Sequence, residues 1–226
     1  MPETSIREFN DSSVDPKVRG FLHAPENPNG DGFVLTHGAG SNAASPLLVA
    51  LAETLSSGGF TVLRCDLPYR QSRSFGPPGP GDAARDRAGL KNALAALRKM
   101  SSGRLFLGGH SYGGRQSSML CAEDPALVSA LLLLSYPLHP PRKPEQQRTQ
   151  HLPDLHTPTL FVQGTRDPFG SIAEIERALK MIPTKTKLLS IDGAGHDLGF
   201  KGKARRQDLP QEIVSVFRTL ISSLGC

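Results

Sequence analysis

The amino-acid sequence predicts an α/β domain, a mostly parallel β-sheet with helices on both faces. Short β-type runs alternate along the chain with longer runs of 3.6-residue period. Several of the short runs are continuously apolar, as strands covered on both faces must be. No internal repeat breaks the alternation. At 226 residues the chain reads as a single domain, 1–226, long enough to bury a substantial core.

Taken in order, Val18–Ala24 is the first clear strand, expected to form an antiparallel edge hairpin with an earlier strand near Ile6–Asn10. Phe33–Thr36 follows as a short apolar strand. Pro46–Leu55 is a helix with Ser45 at its N-cap and Pro46 at the first helical position, where a missing N–H costs nothing. Leu47, Leu51 and Leu55 share one of its faces. Thr61–Cys65 is the next strand. Leu67–Gly81 contains Pro68, Pro77, Pro78 and Pro80 and reads as a loop. Asp82–Met100 is helical, with Ala84, Ala88, Leu94 and Leu97 in its apolar pattern and Gly103 soon after its end. Leu105–Gly108 is a strand and Gly113–Glu123 a helix ended by Asp124-Pro125. Val128–Ser135 is a strand. Tyr136–Leu155, with prolines at 137, 140, 141, 144 and 153, reads as a second restricted loop. Long loops inside a compact domain are often functional. Thr159–Val162 and Lys187–Ile191 are strands around the helix Ser171–Met181. Leu209–Leu224 is the last helix, presenting Ile213, Phe217, Leu220, Ile221 and Leu224.

Composition excludes several classes of protein. Hydrophobic residues are 38% and charged residues 21%, which fits neither disorder nor a membrane protein. The longest apolar runs, Ala130–Leu134 and Leu47–Ala52, fall far short of the ~20 residues needed to span a bilayer. The start lacks a basic region followed by an apolar one, so no secretory signal is visible. The net charge of +5 is shared evenly between the two halves, and no basic–aromatic stripe is present, so nucleic-acid binding is not expected. The densest basic patch, Lys201-Gly202-Lys203-Ala204-Arg205-Arg206, is read as a solvated loop, with attraction of an acidic substrate or partner as the alternative. Cys65, Cys121 and Cys226 have no metal-like spacing. A reduced, cytoplasmic setting is therefore expected, with Cys65 and Cys121 as small buried apolar residues. No metal is expected. Oligomeric state is not legible.

One constellation carries chemistry. Gly109-His110-Ser111-Tyr112-Gly113 matches G-x-S-x-G and lies between an apolar strand and a helix. A strand-to-helix turn this sharp needs small flanking residues and leaves its serine exposed at a helix N-terminus. A serine hydroxyl needs an adjacent base to act as a nucleophile. His196, in Gly193-Ala194-Gly195-His196-Asp197, follows the last strand and falls at the same carboxyl edge of the sheet as Ser111. It is the candidate base. His110 is expected to point away from Ser111. Asp167, directly after Thr159–Val162, is the candidate acid that orients His196. Asp66, Asp192 and Asp197 are its rivals. The candidate oxyanion donors are the backbone N–H groups of Tyr112 and Ala39, the latter in His37-Gly38-Ala39-Gly40-Ser41 after an early strand. Arg64, Arg70 and Arg73 cluster around the loop after Thr61–Cys65, and Arg115 and Arg166 neighbour the candidate positions. Arg70 is singled out as a cleft residue favouring an anionic substrate; the alternative is a surface ion pair.

With these residues in place, the chain resembles an α/β-hydrolase from about Val18 to Leu224, and Ser111, Asp167 and His196 follow that fold's chain order. Within the superfamily, Gly108-Gly109-His110-Ser111-Tyr112-Gly113-Gly114-Arg115, Ser135-Tyr136-Pro137-Leu138-His139-Pro140-Pro141, Leu160-Phe161-Val162-Gln163-Gly164-Thr165-Arg166-Asp167 and Gly195-His196-Asp197 are similar to the branch of testis-expressed protein thirty and the third subunit of the non-specific lethal complex. Dienelactone-hydrolase-like proteins are the next nearest; they typically use a Cys nucleophile, from which Ser111 departs. The resemblance implies a hydrolase fold without a cofactor and leaves the substrate open. Only Tyr136–Leu155 stands where larger relatives carry a cap, so no large cap domain and an accessible cleft are expected. The expected activity is carboxylester hydrolysis of small or accessible acyl substrates through a Ser-His-Asp triad. Peptidase or amidase activity, and a non-catalytic interaction module on the same fold, are the alternatives.

Overall fold

The computed structural model describes residues 4–200 and 207–224. Eight strands form one sheet: β1 (Thr4–Asp11), β2 (Val18–Pro25), β3 (Gly32–Thr36), β4 (Thr61–Cys65), β5 (Leu105–His110), β6 (Ala130–Leu134), β7 (Thr159–Gly164) and β8 (Thr186–Ile191). Their order is β1-β2-β4-β3-β5-β6-β7-β8. From β4 to β8 every pairing is parallel. β1 and β2 form the antiparallel edge hairpin expected from the sequence, and β2 joins it to β4.

The helices α1 (Pro46–Ser57), α2 (Pro68–Ser72), α3 (Asp82–Arg98), α4 (Tyr112–Glu123), α5 (Ile172–Leu179) and α6 (Leu209–Ser222) divide between the two faces. Because successive strand residues point to opposite faces, β6 sends Leu131 and Leu133 into one core and Ala130, Leu132 and Leu134 into the other. The first core is closed by α3, α4 and α5, the second by α1 and α6. Phe33, Phe60, Phe106 and Phe217 meet in the second core with ring centroids 5.3–6.4 Å apart. Continuous burial on both faces explains why the runs in β3, β5, β6 and β7 read as apolar. Cys65 and Cys121 are free and buried, and burial pushes both thiols up to about 12.

Two local expectations are corrected. Leu67–Gly81 is not wholly loop: Pro68 starts the short helix α2, its fixed φ suiting the first helical position. α2 packs so tightly on α3 that a Cβ at Gly89 would stand 2.5 Å from the Pro68 ring. In Tyr136–Leu155 the only helical turn is the 3₁₀ turn Leu152–Asp154, so the connection builds no cap. Ser45 stands at the N-cap of α1 with Pro46 behind it, as expected, and its side chain makes no capping hydrogen bond. Ser171 does cap α5, in a reciprocal capping box with Glu174. The basic patch 201–206 and Cys226 lie outside the described residues. Among those described, no helix is long and apolar enough to cross a membrane.

A buried histidine at the β2–β4 junction makes stability depend on pH. His23 is fully buried, and its Nε2 accepts a 2.8 Å hydrogen bond from Arg64 Nε, which requires a neutral ring. Burial, and secondly the Arg64 charge, push its pKa down to about 4. In the unfolded chain it ionises near 6.5. Stability is therefore full above pH 6.5 and falls as pH drops towards 4, on the order of 2–3 kcal/mol from this group. In denaturant titrations at pH 7 and 4.5, His23→Gln is expected to lose less stability on acidification than the wild type. Equal losses would contradict this role.

Candidate active site

The strand order reverses at β3, whose neighbours are β4 and β5. In open α/β sheets this is where a crevice opens at the carboxyl ends of the strands. β5 delivers Ser111 there. Ser111 has φ 50° and ψ −116° between the strand and α4, a region costly for a residue with a side chain and seen at functional turns. Its N–H donates to Leu134 O at 2.8 Å. The flanking glycines are required sterically. A Cβ at Gly113 would stand 2.4 Å from the His37 carbonyl oxygen, and one at Gly109 2.6 Å from the Gly113 backbone.

The loops after β7 and β8 are packed against each other. Arg166 N–H donates to Ala194 O at 2.9 Å, and a Cβ at Gly164 would fall 2.3 Å from the same oxygen. This contact brings Asp167 and His196 together. His196 Nδ1 lies 2.8 and 3.0 Å from the two Asp167 carboxylate oxygens, and His196 Nε2 lies 2.8 Å from Ser111 Oγ. A carboxylate only accepts, so Nδ1 carries the proton and Nε2 is left to accept from the hydroxyl. The Asp167 side chain is fully buried and is also held by the Phe169 N–H at 2.9 Å. The Phe169 ring lies against His196, with centroids 4.2 Å apart. An imidazole so placed can take the hydroxyl proton while the buried carboxylate stabilises the cation that results.

Ser111 opens into a cavity of about 530 Å³, whose lining includes Ala39, Tyr112, Pro46, Leu47, Phe169 and Phe200. The loop after β3 presses on Ser111: a Cβ at Gly38 would stand 3.3 Å from Ser111 Cβ. Its carbonyls are held from behind. Tyr69 OH donates to Ala39 O at 2.9 Å and to Gly38 O at 3.2 Å.

Arg70 completes that backing, which corrects its expected place in the cleft. It is buried, and its donors go to the carbonyls of Ala39, Ser41, Arg73 and Gly76. It is neither a cavity-lining residue nor a surface ion pair. His110 is also corrected: it lines the cavity and its Nε2 donates to His196 O at 2.8 Å. The left-handed φ of Ser111 breaks the strand alternation that would have turned its neighbour away. Of the rival acids, Asp66 receives Ala43 N–H and pairs with Arg19. Asp192 is bonded to Thr165, and Asp197 to Gly199 N–H.

Sequence reasoning missed a buried carboxylate behind the elbow. Asp86 of α3 accepts from Tyr112 OH at 2.7 Å and Tyr69 N–H at 3.1 Å. Burial pushes its pKa up, with these hydrogen bonds acting against that shift. A charged residue sharing a helix face with Gly89, Leu90 and Ala93 was its signal in the sequence. Among the described residues, no three His, Cys, Asp or Glu side chains are grouped to hold a metal ion.

A doubly covered parallel sheet with a strained serine elbow beside an imidazole and an acid defines an α/β hydrolase. The chain belongs to the Alpha/beta hydrolase domain family, whose model matches residues 30–222. Among solved structures it is similar to a dienelactone hydrolase from Anabaena variabilis, with 25% identity and a TM-score of 0.72 over 97% of this chain and 98% of that one. It shares its fold with Est1E from Butyrivibrio proteoclasticus, at 16% identity and a TM-score of 0.71 over 96% and 99% of the two chains. It also shares it with an α/β serine hydrolase without lid from Xanthomonas campestris, at 17% identity and a TM-score of 0.68 over 96% and 95%. A 48-residue stretch, 21% of the chain, is 48% identical to part of the polyketide synthase ThaQ of Burkholderia thailandensis; it spans only 2% of that protein's length.

Proposed function

We propose that the chain is a serine hydrolase cleaving carboxylic esters, with Ser111 as nucleophile, His196 as general base and acid, and Asp167 as the group that orients His196. The observation that carries this reading is the 2.8 Å contact on each side of the His196 ring, to Ser111 Oγ and to Asp167. As Ser111 Oγ bonds to the acyl carbon, its proton passes to His196 Nε2. The N–H groups of Ala39 and Tyr112 receive the oxyanion. The C–O bond to the leaving group breaks, and His196 returns the proton to the departing alkoxide. Water, deprotonated by the same ring, then releases the acid and restores Ser111. Ser111 departs from the Cys nucleophile typical of dienelactone-hydrolase-like proteins, and the reading takes the serine as the attacking group.

The connection Tyr136–Leu155 builds no cap over the cavity, so a long acyl chain would lack an apolar cover, which favours a short acyl group. The purified protein is expected to turn over p-nitrophenyl acetate and butyrate, and the palmitate ester and matching anilides far more slowly. Folded protein that hydrolyses none of the esters would overturn this function.

A further inference from the structure

The cavity holds two cations that the chemistry above does not use. Arg115 is one turn beyond Ser111 on α4, its N–H donating to Ser111 O at 2.9 Å, and its side chain lines the cavity. Arg148, from the connection between β6 and β7, lines the same cavity. Its backbone is pinned by N–H donation to Leu138 O at 2.7 Å, and its guanidinium donates to Pro137 O at 3.1 Å. Neither guanidinium joins an ion pair among the described residues. Nε of Arg115 is buried and makes no hydrogen bond.

This arrangement is costly as it stands. Two like charges in one cavity repel, more strongly as water is excluded. Burial and the charge of Arg115 both disfavour the charged form of Arg148. Arg115 also lies near the positive end of the α4 dipole, where a cation is unfavourable and an anion is welcome. The neighbouring Tyr136 phenol supplies no counter-charge: burial pushes it up to about 12, and its hydroxyl donates to Arg148 O at 2.7 Å. Asp197, which also lines the cavity, follows His196 in the chain and receives the Gly199 N–H. A bound anion would offset the repulsion between the two guanidinium groups.

We propose that Arg115 and Arg148 form an anion subsite beside Ser111, and that the ester cleaved there carries a negatively charged group such as a carboxylate. The proposal rests on the hydrolase reading for turnover, but not for binding. Two probes of equal length separate the two: p-nitrophenyl hydrogen glutarate, which ends in a carboxylate, and neutral p-nitrophenyl valerate. Wild-type kcat/KM is expected to favour the glutarate by about tenfold, the worth of one good charge-assisted contact. The preference should shrink in 0.5 M salt through KM. Arg115→Gln is expected to remove it. Arg148→Gln, which leaves the elbow helix untouched, is expected to reduce it and carries the test if the first variant does not fold.

Calorimetry on Ser111→Ala gives the answer without turnover. Tighter binding of the glutarate than of the valerate, lost on adding Arg115→Gln or Arg148→Gln, supports the subsite even if no ester is cleaved. Equal binding of the two probes, or a preference that both arginine variants retain, overturns it. Turnover of valerate without any glutarate preference would leave the hydrolase reading standing and remove the anion subsite.

Discussion

Ser111→Ala is expected to lower kcat for p-nitrophenyl butyrate by about 10⁴-fold or more, because removing the nucleophile leaves only binding and oxyanion stabilisation. The variant should stay folded. Alanine keeps the same Cβ, so no new clash arises at the elbow, and the strained φ of 50° is unchanged. The loss of one hydrogen bond to His196 should move stability by only about 1 kcal/mol. Steady-state kinetics beside a melting curve check both parts. Activity within tenfold of wild type, in a folded variant, would remove Ser111 from the mechanism.

Asp167→Asn is expected to cost about 10³- to 10⁴-fold in kcat while leaving the backbone in place. The reason is the tautomer. Asp167 can only accept, which keeps the proton on Nδ1 of His196 and leaves Nε2 facing Ser111 Oγ as an acceptor. An amide can donate to Nδ1 instead, which moves the ring proton to Nε2 and points it at the hydroxyl. The base is then blocked although nothing has been displaced. Asp66→Asn is the matching control: that carboxylate holds Ala43 N–H and Arg19, and its replacement should change kcat by no more than a few-fold. Similar losses in the two variants would mean that Asp167 acts through the fold and not through His196.

The sheet and the candidate triad were legible for the same reason. Strands buried on both faces must be apolar throughout, so β3, β5, β6 and β7 declare themselves. Once they are placed, the residues after each strand fall at one rim, and Ser111, Asp167 and His196 can be found by chain order. The residues misread were those whose meaning depends on side-chain direction. Arg70 lies just after a strand that ends at the same rim, but α2 turns its guanidinium towards the back of the Ala39 loop. His110 escaped because the strand rule of alternating faces fails at the left-handed residue beside it. Arg148 gave no signal at all. It lies in a proline-rich connection without periodicity, and only tertiary contacts bring that connection back over the cavity.

The central claim is that Ser111 is a nucleophile activated by His196. Exposure of the folded protein to a fluorophosphonate, followed by intact-mass measurement and peptide mapping, tests it most directly. The account predicts one covalent adduct per chain, located on Ser111, absent from Ser111→Ala and formed much more slowly in His196→Ala. An unmodified wild-type protein, or an adduct carried on another residue, would contradict it.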